Sequence, residues 1–343
     1  MRIAQVMAGA PIGGAETFYE RLSVALHGAG EEVLPVIRRD AGRAARLRAG
    51  GLKPVELGFG GPFDLLTGPR LDKVLRDFRP DVAVAWMNRA ARFTRPGPWA
   101  LVGRLGGYYD LRHYRSCDHL VANTRDLVRW IVSQGWDPAR VHHLPNFAPD
   151  FAGADPALLP AAPGEAKLLA MGRLHSNKGF DTLLRALALV PRAHLSLAGE
   201  GPERAALERL VQELGLARRV TFLGWRQDTG ALLAGCDIFV CPSRHEPLGN
   251  VVLEAFSAGV PVIATAAAGP LELIADEETG LIVPLDDPGA LAGAISRVIG
   301  DPACADALGG GGRAAFEAHH AEAPVLARWR ELLPRLRPHQ VRH

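Results

Sequence analysis

The chain has 343 residues, 39 Lys plus Arg against 37 Asp plus Glu, and 48% apolar residues, an ordinary globular composition that excludes a disordered chain. At roughly 100 to 200 residues per domain, this length predicts two domains, each able to bury a core. Apolar stretches such as Leu183–Pro191 and Val251–Thr265 are broken by charge, Gly or Pro before the ~20 residues that a membrane span needs, so no transmembrane helix is expected.

At the N-terminus one Arg precedes an apolar run that Pro11 and the Gly13-Gly14 pair cut short. That is the wrong shape for a secretory signal, and the expected location is the cytoplasm, extending to the inner face of its membrane. Cys117, Cys236, Cys241 and Cys304 show neither close pairing nor metal-ligand spacing and read as plain thiols. Residues 1–165 hold 21 basic and 17 acidic side chains and the remainder 18 and 20, so the first half is the better face for an anionic partner.

Short β-branched or apolar runs alternate with amphipathic segments of helix length, the pattern of a parallel sheet covered by helices, and the fold class is α/β. Strands are expected at Arg2–Met7, Val33–Ile37, Pro54–Leu57, Asp81–Trp86, Ala100–Leu105, His119–Ala122 and Val141–Leu144, with a helix over Ala15–Gly28. Asn146–Ala166 is rich in Pro and Ala and has no period, which places a linker at 151–165 between domains at 1–150 and 166–318. Further strands are expected at Lys167–Met171, His194–Ala198, Val220–Leu223, Ile238–Cys241, Pro261–Ala264 and Leu281–Pro284, and helices at Gly179–Val190 and Pro202–Leu214. Arg313–Leu336 is a long helical pattern with Pro324 and Pro334 as breaks, and 319–343 forms a terminal helical segment able to pack across either domain. CDHLVANTR (Cys117–Arg125) and CDIFVCPSR (Cys236–Arg244) align without gaps, which suggests equivalent positions in two similar sheets; a chance match is the alternative.

In an open parallel sheet, ligands bind outside the carboxyl ends of the strands, so function is sought in the loops there and in the cleft between two such edges. The loop AGAPIGGAE offers Gly13 and Gly14 just before a helix whose free N–H groups attract anionic or hydroxyl oxygens, unless the glycines serve only a tight turn. In MGRLHSNKGFDTLL, Arg173 and Lys178 stand on a loop leading into a helix, where two cations either converge on a diphosphate or remain solvated. In SRHEPLGNVVLEAFSAGVPVIAT, Glu246 precedes a helix opened by Gly249 and Asn250, and Glu254 lies one turn further on. The N–H groups of Leu248, Gly249 and Asn250 are available to sugar hydroxyls or phosphate oxygens, and a carboxylate suits the vicinal diol of a ribose.

Taken together, the GGAE loop, GRLHSNKGFDTLLRAL, LAGEGPER, FLGWRQDTGALLAGCDIFVCPSRHEPLGNVVLEAFSAGVPVIAT and GLIVPLDDPGAL resemble the retaining glycosyltransferases of family four over nearly the whole chain. The resemblance implies the GT-B fold, two facing Rossmann-like domains with a C-terminal helix free to return to the first. It implies that Arg173 and Lys178 bind the donor diphosphate, Glu254 the ribose, and Glu246 with the Leu248–Asn250 backbone the donor sugar, Glu246, Arg173 and Lys178 being the catalytic set. The Gly13-Gly14 loop would close on the donor, and Trp225 and Arg226 would meet the nucleobase with Leu232 beside it. Many family members carry a His near the reacting sugar where this chain reads ALVGRLGGYYDLRHY; Arg104, Tyr108, Tyr109 and Asp110 are the acceptor-side candidates in its place.

Asp286-Asp287 reads as a helix cap rather than a metal pair, and His142-His143 and His319-His320 lack a third ligand, so no metal is expected. The five Arg of Arg38–Arg48 suit phosphates or form a solvated amphipathic helix. The expected function is retaining transfer of a sugar from a nucleotide diphosphate sugar to a hydroxyl of a saccharide or lipid-linked acceptor in cell-envelope glycan synthesis. Such an enzyme needs no cofactor beyond its co-substrate, makes at most weak contact with an anionic membrane and has no nucleic-acid partner. The alternatives are a nucleotide-sugar-binding regulatory protein without turnover and an epimerase of the same fold. A nicotinamide oxidoreductase is disfavoured by the missing G-x-G-x-x-G.

Overall fold

The computed structural model describes residues 1–11, 13–60 and 64–338. The chain divides into two compact units, Met1–Asn146 with the segment from Glu322 onward, and Phe147–Ala321.

The first unit contains β1 (Arg2–Met7), β2 (Glu32–Arg38), β3 (Val55–Leu57), β4 (Val82–Trp86), β5 (Ala100–Leu105), β6 (His119–Ala122) and β7 (Val141–His143). They form one parallel sheet in the order β3-β2-β1-β4-β5-β6-β7. The central strands β4 and β5 are buried along their whole length, as expected when helices cover both faces and a strand such as VAVAW has no polar side to present. The second unit contains β8 (Ala166–Met171), β9 (Ala193–Ala198), β10 (Val220–Gly224), β11 (Ile238–Cys241), β12 (Val262–Thr265) and β13 (Leu281–Val283), parallel in the order β10-β9-β8-β11-β12-β13. Both orders begin 3-2-1-4-5-6, the doubly wound arrangement. No described helix is long and apolar enough to cross a membrane.

Three expectations change. The Pro- and Ala-rich stretch belongs to the second unit: the Ala157 N–H donates to the Ala231 carbonyl at 2.8 Å and Leu159 is buried. The terminal helical pattern breaks at His320 and Ala321, between helices Pro302–His319 and Glu322–Leu332. Pro324 does not break it, because Pro324 falls in the first turn of the later helix, where no intrahelical N–H bond is lost. That helix buries Val325 and Trp329 and pairs Arg330 with Glu31 at 3.2 Å.

The nine-residue match also has a different meaning. β6 is the sixth strand of its sheet and β11 the fourth, so the two segments are not equivalent. What they share is a local device. Asp118 and Asp237 each stand before a strand and take a backbone N–H from the neighbouring strand, Leu101 and Lys167 respectively, both at 2.7 Å. Asp81, before β4, does the same for the Arg2 N–H at 2.8 Å and is the topological counterpart of Asp237.

Candidate active site

In the second unit, β8 lies between β9 and β11, so the winding direction reverses there and the crevice outside the carboxyl ends of β8 and β11 is the place where such a sheet takes a ligand. The loops 172–179 and 242–249 follow these two strands. Gly179 has φ 63°, and a Cβ there would overlap the Pro242 carbonyl oxygen; glycine is what lets the first loop close on the second. The closure is sealed by the Asn177 carbonyl, which accepts the N–H groups of Arg244 at 2.8 Å and His245 at 3.1 Å.

This closure brings the Lys178 ammonium onto the Glu246 carboxylate as an ion pair, with side chains 23% and 12% exposed. Arg173 is exposed on the same loop and has no hydrogen bond or ion pair among the described residues. Gly249, at φ 88°, opens the helix Asn250–Ser257 without a side-chain cap. Among the described residues nothing accepts the N–H groups of Leu248 and Gly249, which leaves them for a ligand. Glu254 is half-buried one turn into that helix.

The scaffold beneath was not read from the sequence. Arg244 donates to the Ser176 carbonyl at 2.8 Å, to both Asp181 carboxylate oxygens at 2.7 and 2.8 Å, to Thr182 Oγ1 at 3.0 Å and to Asp286 Oδ1 at 2.5 Å. It thereby ties the loops after β8, β11 and β13 together. Its hydrogen bonds to Asp181 raise the guanidinium above its ordinary range and lower the Asp181 carboxyl. On the other side, the Thr265 hydroxyl donates to the Ser243 carbonyl at 2.6 Å and the Gly269 N–H to the Glu246 carbonyl at 2.7 Å. Arg244 and Asp181 both stand inside the quoted motifs, but their pairing is visible only once β8 and β11 are known to be neighbours. Of Asp286-Asp287, Asp287 caps the helix Pro288–Gly300 as expected, accepting the Ala290 N–H at 2.9 Å, whereas Asp286 turns to Arg244 and Thr182.

Trp225, just past β10, is 58% exposed, and Arg226 beside it is engaged by Asp228, with Nε at 2.8 Å. Leu232, expected at the nucleobase, is 1% exposed and shares a core cluster with Leu233, Phe239 and Phe256. No group of three or more His, Cys, Asp or Glu able to hold a metal occurs among the described residues.

In the first unit, Glu16 in the first turn of the helix Gly14–Gly28 folds back to accept the Ala10 N–H at 2.8 Å. A Cβ at Gly9 or Gly13 would overlap its carboxylate oxygens, so these glycines make room for Glu16. The fully buried Arg43 holds the same loop through the Ala10 carbonyl at 2.5 Å and pairs with Glu20 at 3.1 Å. Ile12 lies outside the described residues.

The four acceptor-side candidates separate into two pairs. Arg104 is buried, donates to the Leu105 carbonyl and to Asn146 Oδ1 at 2.5 Å, and lies over the rings of Trp86 and Phe18 at 5.2 and 5.6 Å. Burial lowers its pKa to about 10, and its Nε has no hydrogen-bond partner among the described residues. Tyr109 sits close enough to feel both Arg104 and Glu16, and burial raises its phenol. Tyr108 is instead engaged by Asp126 and packed against Trp130, and Asp110 forms a pair with Arg112 at 2.6 Å that holds its carboxyl at about 2.

Two doubly wound units, one with cations, carboxylates and open helix N–H groups on its switch-point loops, define the GT-B class. The chain belongs to the glycosyltransferases: residues 165–301 match the glycosyl transferases group 1 model and residues 12–149 the glycosyltransferase family 4 model. It is 36% identical over 336 residues to the lipopolysaccharide core biosynthesis glycosyltransferase LpsD of Rhizobium meliloti, covering 94% of this chain and 95% of that one. It is 35% identical over 299 residues to LpsE of the same organism, covering 84% and 86%. Among solved structures, Anabaena HepE in complex with UDP superposes with a TM-score of 0.85 at 21% identity, over 98% of this chain and 100% of that one. WaaG, a glycosyltransferase involved in lipopolysaccharide biosynthesis, superposes with a TM-score of 0.72 at 19% identity, over 97% and 99%.

Proposed function

We propose that the protein is a retaining glycosyltransferase of lipopolysaccharide-core or related cell-envelope assembly, moving a sugar from a nucleotide diphosphate sugar to a hydroxyl of a saccharide or lipid-linked acceptor. The observation that carries this is the convergence of Lys178, Glu246 and the open N–H groups of Leu248 and Gly249 at the switch point of the second sheet, with Arg173 on the same loop. The names of LpsD and LpsE support the setting.

In this reading Arg173 and Lys178 hold the donor diphosphate, the Leu248–Asn250 backbone and Glu246 hold the transferred sugar, Glu254 accepts from the ribose diol, and Trp225 with Arg226 meets the base. No side chain is assigned as a covalent nucleophile. The departing phosphate oxygen, stabilised by the two cations, takes the proton of an acceptor hydroxyl attacking from the same face, which retains the anomeric configuration. Arg104 and Tyr109 are the acceptor-side residues in this scheme. Contact with an anionic membrane stays part of it, resting on Arg38 and Arg39, the two arginines of the Arg38–Arg48 run that no described carboxylate engages.

The test is transfer from a panel of nucleotide diphosphate sugars in excess chelator. Activity is expected to persist, and Lys178→Ala to lose donor affinity and rate by about 2 kcal/mol, the worth of a charge-assisted contact. Activity that vanishes with chelator and returns with Mg²⁺ or Mn²⁺ refutes charge neutralisation by protein cations.

A further inference from the structure

Among the described residues, Lys178 Nζ and the Glu246 carboxylate are each other's only side-chain partner, and both are largely shielded from solvent. Yet they belong to different parts of the donor: Lys178 to the diphosphate, Glu246 to the sugar. From this we infer that the Lys178–Glu246 pair is an internal stand-in for the complete donor, which makes the site select sugar-bearing nucleotide over spent nucleotide. The inference rests on the donor reading above.

The argument is one of charge accounting. The pair neutralises itself, while Arg173 is exposed and, among the described residues, unengaged, placed as the first contact for an arriving diphosphate. A full donor exchanges one set of partners for another: its diphosphate takes Lys178, and its sugar hydroxyls donate to the carboxylate that Lys178 releases. Nothing is left bare. A bare nucleoside diphosphate also takes Lys178, but it strands Glu246 half-buried, without a partner and beside a polyanion, where both desolvation and like charge oppose it. Glu246 cannot retreat to water, because its loop is pinned by the Gly269 N–H at 2.7 Å and by the Thr265 hydroxyl on Ser243 at 2.6 Å. After transfer the re-forming pair therefore favours product departure.

The consequence runs against the usual effect of deleting a binding residue: removing the Glu246 charge should tighten the bare nucleotide. UDP, with ADP, GDP and CDP in parallel, is titrated calorimetrically into the wild type, Glu246→Gln, Lys178→Ala and the double variant, and UDP-glucose is titrated into the same four. Glu246→Gln is expected to bind the preferred diphosphate about fivefold or more tightly than the wild type, the range of a partly buried ion pair. The gain should shrink markedly in the Lys178→Ala background, because the part that comes from freeing that ammonium is lost and only the like-charge part remains. The advantage of sugar-bearing over bare nucleotide should shrink by a similar factor. Glu246→Ala should show the same tightening, which covers the case in which the glutamine variant folds poorly. If the wild type binds a nucleotide and neither Glu246 variant binds it more tightly, the exchange is wrong while the donor reading stands. Equal tightening with and without Lys178 likewise overturns it, leaving simple carboxylate repulsion. If no nucleotide binds any variant, the donor reading falls and the inference with it.

Discussion

Arg244 offers the sharpest test of how the site is built, because it touches no assigned ligand group yet joins three of the loops that shape the crevice. Arg244→Ala removes five hydrogen bonds and leaves Asp181 and Asp286 without the cation they share. Hydrogen bonds to charged groups are worth ~1.5 to 3 kcal/mol each when buried. The Arg244 side chain is 31% exposed and its two carboxylate partners 42% and 54%, so solvent screening reduces the set to roughly 2 to 3 kcal/mol. At about 2 to 4 °C per kcal/mol for a unit of this size, the melting midpoint should fall by roughly 5 to 10 °C. The pair lowers the Asp181 carboxyl, so its contribution is present above the ordinary carboxyl value of 3.8 and is lost as pH falls through the lowered one. The gap between wild type and variant should accordingly close in acid.

Loosening the clamp also frees the loops that present Lys178 and Glu246, so nucleotide affinity should drop about tenfold, the cost of misplacing a charged contact. Arg244→Lys keeps the charge but cannot reach Asp181 with two parallel N–H groups, and it should recover part of the stability and less of the affinity. Melting curves and calorimetry on the three proteins decide the matter. If Arg244→Ala melts within a degree of the wild type and binds nucleotide equally well, the loops are held by something other than this clamp.

Two further outcomes follow from the same structure. Glu254→Gln keeps the shape of the helix but weakens one charged acceptor, so it should weaken bare nucleotide and nucleotide sugar alike by about tenfold; an effect confined to the sugar-bearing donor would move Glu254 away from the ribose. His142, whose ring faces His119 at 3.2 Å, is lowered from 6.5 to about 4 by burial and by that neighbour, so its unfolded form binds the proton first. Its share of stability is complete above pH 6.5 and is lost as pH falls toward 4, on the order of 1 to 2 kcal/mol after discounting for partial exposure. His142→Gln should flatten the melting profile over that window, and an unchanged slope would place the acid sensitivity elsewhere.

The strands and the second unit's loops were legible because their signals are local. β5, β6 and β11 fall where the sequence puts them, since an apolar run bounded by Gly, Pro or Asp needs no knowledge of its neighbours. The carboxylate at 246 and the cation at 178 could be read as site candidates because each stands in a loop just past a strand end. Their mutual pairing could not, since it depends on β8 and β11 lying side by side although about 70 residues apart in the chain. The gapless match of CDHLVANTR with CDIFVCPSR misled for the opposite reason: similar local duty, an Asp latching a neighbouring strand, looks like common descent of position when only the string is seen.

The first unit shows why charge counted along a chain overstates the surface open to an anionic partner. Of the five arginines in Arg38–Arg48, Arg43 is wholly internal and holds the Ala10 carbonyl, Arg46 pairs with Glu20 at 2.6 Å, and Arg48 with Glu56 at 3.3 Å. The same reasoning applies to Arg104, which composition alone would place on the surface. It is buried against Trp86 and Phe18 with a neutral Asn146 as its side-chain partner, and a guanidinium so placed keeps its proton because its ordinary pKa is high enough to absorb the cost of burial. A lysine under the same burial would start about two units lower and hold its charge less firmly. The choice of arginine therefore preserves a fixed positive charge at the carboxyl end of β5, near the half-buried Tyr109 phenol. A histidine under the same burial would lose its proton and act as a neutral acceptor or donor, so arginine supplies a permanent charge where histidine would supply a titrating group, on the acceptor side of the proposed reaction.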